Sequence, residues 1–272
     1  MKIYDTLDEA QRIIGQHWKE GQSPEQEQVL EFARDALFFI SSTGQPYLFE
    51  DYRKQPQAES PSRASVPTST AELVRRTEGF FEQLLHGLQP GEERELTLVI
   101  IDALRFIAST GQLADFESYL QELDAHEPPR VVASFDTREQ AERWLKSHPS
   151  PPHCAHILIA GRYHTVAYER ATNGRYLPAS RALEYYLASL EEGSAPAAGA
   201  SFETREEADA WLRAQSAPPK RAWVLISGET YLAIYHPHIN YRALYPLSMA
   251  DGYVINTEME PEGSPRGRSQ PS

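Results

Sequence analysis

Two stretches of this chain are each written twice, and in both cases the second copy follows the first by 67 residues. In the first half, Asp35-Ala-Leu-Phe-Phe-Ile-Ser-Ser-Thr-Gly-Gln45 returns as Asp102-Ala-Leu-Arg-Phe-Ile-Ala-Ser-Thr-Gly-Gln112, and Phe49, Glu50 and Tyr52 return as Phe116, Glu117 and Tyr119. In the second half, Ala133-Ser-Phe-Asp-Thr-Arg-Glu-Gln-Ala-Glu-Arg-Trp-Leu145 returns as Ala200-Ser-Phe-Glu-Thr-Arg-Glu-Glu-Ala-Asp-Ala-Trp-Leu212. That match continues through Pro151-Pro152 and Pro218-Pro219, Leu158-Ile159 and Leu225-Ile226, Gly161 and Gly228, Tyr168 and Tyr235, Arg175 and Arg242, and Leu177 and Leu244. The two patterns share nothing with each other, so the fold must be assembled from two units of each kind.

The expected organisation is α+β, a repeated all-helical bundle followed by a repeated β-α-β-β domain with a largely antiparallel sheet. The boundary falls near His126-Glu127-Pro128-Pro129, where paired prolines make a stiff connector. The helical domain spans 1–126 with repeats at about 5–54 and 70–124. The second domain spans 127–257 with units at about 130–191 and 199–250, and 258–272, rich in Pro, Gly, Ser and Arg, reads as a disordered tail.

In the first half, Val29, Phe32, Ala33, Ala36, Leu37 and Ile40 recur at steps of three and four, which predicts a helix over 26–43 with one apolar face. Gly44 and Gly111 then read as helix stops. Short helices begin at Tyr47 and Leu113, longer ones run from Leu7 to Trp18 and from Leu73 to Leu88, and 55–68 is a loop. Each repeat is about three helices, and neither copy buries its apolar face alone.

In the second half, Val131 to Phe135 suits a strand. Thr137 with Gln140 and Thr204 with Glu207 are capping boxes opening helices that bury Ala141, Trp144, Leu145 and Ala208, Trp211, Leu212. Ala155 to Ala160 and Ala222 to Ser227 read as interior strands. Turns follow with Gly161 or Gly228 in first place, then return strands at Tyr163 to Tyr168 and Thr230 to Tyr235. The two units are expected to share one sheet with the helices on one face. A further helix covers Ala182 to Glu191, and 192–198 links the units.

Charge narrows the function. The chain carries 26 Lys and Arg against 39 Asp and Glu, a net of −13, which argues against nucleic acid as a partner. Residues 1–126 hold 11 basic and 22 acidic side chains, a net of −11, whereas 127–272 hold 15 and 17, a net of −2. Helix surfaces are commonly acidic for solubility, but such a half can also be a docking face for a basic partner. The one cysteine, Cys154, excludes a disulfide framework, and no run of 18 apolar residues or apolar signal core occurs. The expectation is a cytoplasmic protein with no membrane partner.

Few residues invite chemistry. His153, Cys154, His156 and His164 are ligands zinc accepts, but His153 and His156 lie three apart, on opposite faces of a strand, and the sister unit carries Lys220, Arg221, Trp223 and Tyr231 there or nearby. His236-Pro237-His238 has no acid or cysteine close in sequence. No dinucleotide, phosphate-loop or nucleophile-elbow signature is present, so no cofactor is expected. The repeated polar residues remain. Asp35, Asp102, Glu50 and Glu117 brace the fold or line a shared acidic groove. Arg138, Arg205, Tyr168, Tyr235, Arg175 and Arg242 are surface side chains or interface residues.

These features point to a non-catalytic bacterial binding protein, of the immunity or inhibitor type, whose acidic helical half masks a basic toxin such as a nuclease. The alternatives are a hydrolase or transferase using Asp35 or Asp102 with a histidine such as His164 between the domains, and an assembly subunit.

Overall fold

The computed structural model describes residues 3–55, 69–123, 127–191, 199–216 and 218–250. The segments 56–68, 192–198 and 258–272, read above as loop, link and disordered tail, lie outside the described residues, as does 124–126 of the connector. The architecture is mixed, helical in the first half and sheet-bearing in the second.

Ile3–His17 (α1), Pro24–Ser42 (α2) and Pro46–Lys54 (α3) form the first repeat; Ser69–Gly87 (α4), Glu92–Ser109 (α5) and Leu113–Glu122 (α6) form the second. Local chemistry sets the ends. Extended Ser23 accepts from the Gln26 amide at 3.3 Å, with Pro24 as first helical residue. At the far end Gly44 and Gly111 take φ of 72° and 77°. The amides of Gln45 and Gln112 then return to the carbonyls of Ile40 and Ile107 at 2.9 and 3.1 Å, the six-to-one bond of a left-handed stop. The threonine and glutamine of Thr-Gly-Gln complete it. The hydroxyls of Thr43 and Thr110 donate to the carbonyls of Phe39 and Phe106 at 2.5 and 2.6 Å, and accept from the side chains of Gln45 and Gln112 at 2.8 and 2.7 Å.

The two repeats share one core, and their contacts come in exchanged pairs. Phe39 meets Phe116 and Tyr119 at ring separations of 5.2 and 5.4 Å; Phe106 meets Phe49 and Tyr52 at 5.6 and 5.5 Å. Helix α3 packs on α5 as α6 packs on α2, while α1 touches both α2 and α5 and α4 touches both α5 and α2. On the axis of this exchange the Gln45 amide donates to the Gln112 side-chain oxygen at 2.7 Å, a residue bonded to its own counterpart.

The second half runs Val131–Phe135 (β1), Arg138–Ser147 (α7), His156–Ile159 (β2), Arg162–Thr165 (β3), Ala167–Glu169 (β4), Gly174–Tyr176 (β5) and Ala182–Glu191 (α8). Then come Ala200–Phe202 (β6), Arg205–Ala214 (α9), Arg221–Ile226 (β7), Glu229–His236 (β8) and Tyr241–Pro246 (β9). Both capping boxes form, Thr137 with Gln140 and Thr204 with Glu207. Each crossover helix makes its flanking strands parallel, β1 to β2 and β6 to β7, and the remaining pairs are antiparallel.

Three features differ from the sequence reading. Each unit has one strand more than β-α-β-β: β9 in the second and, at the matching position, β5 in the first, where the hairpin breaks into β3 and β4 around Val166. The turns are Ala160-Gly161 and Ser227-Gly228, with glycine second. Their φ values of 48° and 76°, and 50° and 85°, are positive at both central positions, so Ile159 faces Arg162 and Ile226 faces Glu229. Finally, among the described residues the units do not share one sheet; the strands form separate sheets of three, two and four strands.

The reason for separate sheets is that the strands bury both faces. Ile157 and Ile159 lie under Ala141 and Leu145 of α7, and Val224, Ile226 and Ala233 lie under Ala208 and Leu212 of α9. Leu158 points the other way and shares a core with Leu232 and Ile234 of the sister unit and Leu183 and Leu187 of α8. A single sheet with helices on one face would leave that second row in water.

Candidate functional site

The ten repeated polar residues do not converge on one place. Asp35, Asp102 and Glu50 each face a different arginine: Arg34 at 3.3 Å, Arg53 at 2.9 Å and Arg170 at 3.3 Å. Burial raises the Asp35 pKa against the pull of Arg34. Glu50 also takes Lys54 at 2.9 Å, and Glu117 sits half-buried at the matching place on α6.

In the sheet half the repeated arginines do the same work in both units. Arg138 donates to the carbonyl of Leu177, just past β5, at 3.4 Å, and Arg205 to that of Leu244 in β9 at 3.2 Å. Arg175 donates to the carbonyls of Leu145 and Lys146 at 2.5 and 3.0 Å at the end of α7, and Arg242 to that of Gln215 at 3.4 Å past the end of α9. A cation there satisfies carbonyls that the helix leaves without partners and complements its dipole. Tyr168 and Tyr235 lie beneath those guanidinium groups at 5.6 and 4.6 Å. Asn173 and Asn240, left-handed at φ 54° and 47°, accept from Arg175 at 3.2 Å and Arg242 at 3.0 Å. The asparagines escaped the sequence reading, although they too stand 67 residues apart.

The residues that bring the halves together were also missed. Arg170 lays both terminal nitrogens on the Asp51 carboxylate at 2.8 Å each, reaches Glu50 at 3.3 Å and the Tyr47 carbonyl at 3.0 Å, and stacks on the Tyr47 ring at 4.5 Å. Around it Tyr47 stacks on His153 at 5.3 Å, and Tyr4 meets His153 edge-on at 5.1 Å. Gly44 lies so close that an added Cβ would fall 2.5 to 2.7 Å from Pro152.

Here the two sheet units part company. In the second, the Tyr235 amide donates to the Lys220 carbonyl at 2.8 Å. In the first, Cys154 takes φ 63°, and the Tyr168 amide donates instead to His153 Nδ1 at 2.9 Å. That bond makes Nδ1 an acceptor, so the ring is neutral with its proton on Nε2, and burial lowers its pKa. Burial likewise pushes the Cys154 thiol up, away from the nucleophilic thiolate.

A second contact joins α6 to the other unit. Glu122 accepts from Arg130 at 2.7 Å and faces His238 Nδ1 at 3.2 Å, while Lys220 donates to the Glu122 carbonyl and pairs with Glu127. Beside them, a cavity of about 20 Å³, room for one water, is lined in part by His236 and Tyr235. His236 is buried, with Nε2 3.3 Å from the Tyr163 hydroxyl, and burial pulls its pKa down to about 3.

The other two histidines of the His153 cluster lie on the sheet. His156 Nδ1 lies 3.4 Å from the Thr165 hydroxyl and His164 Nδ1 lies 3.3 Å from the Leu177 carbonyl. Among the described residues no group of three or more His, Cys, Asp and Glu side chains is placed to hold a metal ion, and no single helix is long and apolar enough to cross a membrane. Comparison with protein-family models, with curated proteins and with solved structures gave no match.

Proposed function

We propose that this chain is a non-catalytic binding protein whose acidic helical half receives a basic protein, and that it acts as an immunity or inhibitor-type protein against a basic toxin. The observation that carries the reading is how the acidic charge is divided. The carboxylates that hold the sheet half are Glu50, Asp51 and Glu122. Glu25, Glu27 and Glu31 at the start of α2, and Glu92, Glu93 and Glu95 at the start of α5, stand exposed to solvent. At Glu25 the backbone amide and Ser23 keep the carboxyl below its ordinary range. On this reading the sheet half, whose Arg130, Arg138, Arg170, Arg175, Arg205 and Arg242 are engaged within the chain, is the scaffold, and the helical half is the recognition surface. We infer in addition that each half is a tandem duplication, supported by the exchanged aromatic pairs and by the matching Asn-Arg-Tyr braces.

The test is retention of a basic protein from native lysate on the immobilised chain, eluted by salt and lost with the triple change Glu25→Lys, Glu27→Lys, Glu31→Lys, together with protection of cells from a toxin encoded alongside. Recovery of no basic protein, with no protection, overturns the reading.

A further inference from the structure

Among the positions where the two helical repeats differ, one group lies on the groove between the first two helices of each. In the second repeat Arg105 of α5 reaches across to α4 and pairs with Glu78 at 2.5 Å and Glu82 at 2.7 Å, closing the groove between the two helices. The matching positions of the first repeat are Phe38, Gln11 and Gly15. Phe38 is 42% exposed, and a Cβ built on Gly15 meets no atom within 4 Å. One turn beyond Gly15 stands Trp18, 38% exposed. Arg34, one turn before Phe38 on α2, lies over the Trp18 ring at 5.8 Å and so joins the two aromatic side chains into one surface.

Single exposed apolar residues are ordinary, and exposure alone would carry nothing. What singles this place out is that one copy bridges it with a cation and two carboxylates, whereas the other carries none of the three charges and sets an exposed aromatic ring beside the open helix surface at Gly15. Its setting is acidic. Glu27 and Glu31 stand exposed on α2, and Asp8 stands exposed on α1. Aromatic anchors within a charged rim are the usual centre of binding energy in protein interfaces.

We propose that Trp18, Phe38 and the open helix surface at Gly15 form the apolar anchor of the docking face, packing against one aliphatic or aromatic side chain that projects from a basic protein surface. The proposal rests on the acidic-docking reading above and adds to it the point where charge attraction becomes a specific fit. Charge complementarity selects a basic occupant over a second copy of this chain, whose helical half carries the same net −11.

Two short lysine- and arginine-rich peptides of equal charge, one with a single central phenylalanine and one with serine in its place, are titrated calorimetrically against the intact chain at low salt. The phenylalanine peptide is expected to bind about tenfold more tightly, the worth of one partly buried apolar side chain. The triple variant Gln11→Glu, Gly15→Glu, Phe38→Arg rewrites the first repeat as the second and makes the chain one unit more negative. Its expected effect is to cut that advantage below about twofold while the serine peptide binds as before. Trp18→Ser, a milder change, is expected to act in the same direction should the triple variant not fold. Equal affinities for the native chain, or an advantage that survives in the folded variants, overturn the anchor alone. If neither peptide binds the native chain, the acidic-docking reading falls and the anchor with it.

Discussion

Gly44 and Gly111 occupy the same place in the two repeats, yet their surroundings set very different tolerances. Both are left-handed, so alanine costs about 1 kcal/mol at either through backbone strain. At Gly44 the new methyl would also meet the backbone of Pro152, whereas Gly111 has nothing within 4 Å. Thermal unfolding should show Gly44→Ala clearly more damaging than Gly111→Ala; equal losses would mean that the halves do not touch there. His236 gives a residue-scale pH dependence. Its folded pKa is depressed to about 3 by burial, so the folded state binds fewer protons than the unfolded. Its contribution is complete above the unfolded value near 6.5 and is lost progressively as pH falls from there toward about 3. Melting temperature measured across that window should fall with acid in the native chain, and fall less in His236→Gln, which cannot titrate.

At the scale of elements, the boundaries that depend on near neighbours were readable and those that depend on distant partners were not. The Thr-Gly-Gln stops, the capping boxes and α8 follow from residues within a few positions of one another. Thr137→Ala and Thr204→Ala should therefore each cost about 1 kcal/mol in chemical denaturation. The two losses should sum in the double variant, since the caps stand in different units; marked non-additivity would show the two helices unfolding as a coupled pair. The turn was misplaced by one residue because nothing in the sequence marks Ala160 or Ser227 as left-handed. The strands β5 and β9 were missed because their signal is weak alone: β5 is only Gly174–Tyr176 and needs β4 beside it to exist. The helix-capping role of Arg175 and Arg242 was hidden for a similar reason, since the carbonyls they serve lie about 30 residues earlier in the chain. The joint between the halves did leave a trace. Tyr47, His153 and Arg170 are places where the matched stretches disagree, with Ala114, Lys220 and Pro237 at the corresponding positions.

For the whole molecule, the charge asymmetry acquires an internal use. Arg130, Arg170 and Lys220 of the sheet half meet Glu122, Asp51 and the end of α6 in the helical half, so part of the attraction for cations is already exercised within the chain. These pairs are partly exposed and open to screening by salt. The double variant Arg170→Ala, Lys220→Ala should loosen the joint, speeding limited proteolysis of the stretch between Leu123 and Val131 and making the melting temperature less sensitive to added salt. Unchanged cleavage there would show that the apolar contacts around Tyr4, Tyr47 and Pro152 hold the halves without them. The exchanged packing of the helical half also bears on how the protein is made. Phe39 waits for Phe116 and Tyr119, so the first repeat leaves the ribosome before the surfaces that complete it exist. At about 5–20 residues per second, the 77 to 80 residues that separate Phe39 from these partners take roughly 4–16 s. Through that interval the nascent chain carries an uncovered apolar stripe along α2, the length of time for which a chaperone has something to hold.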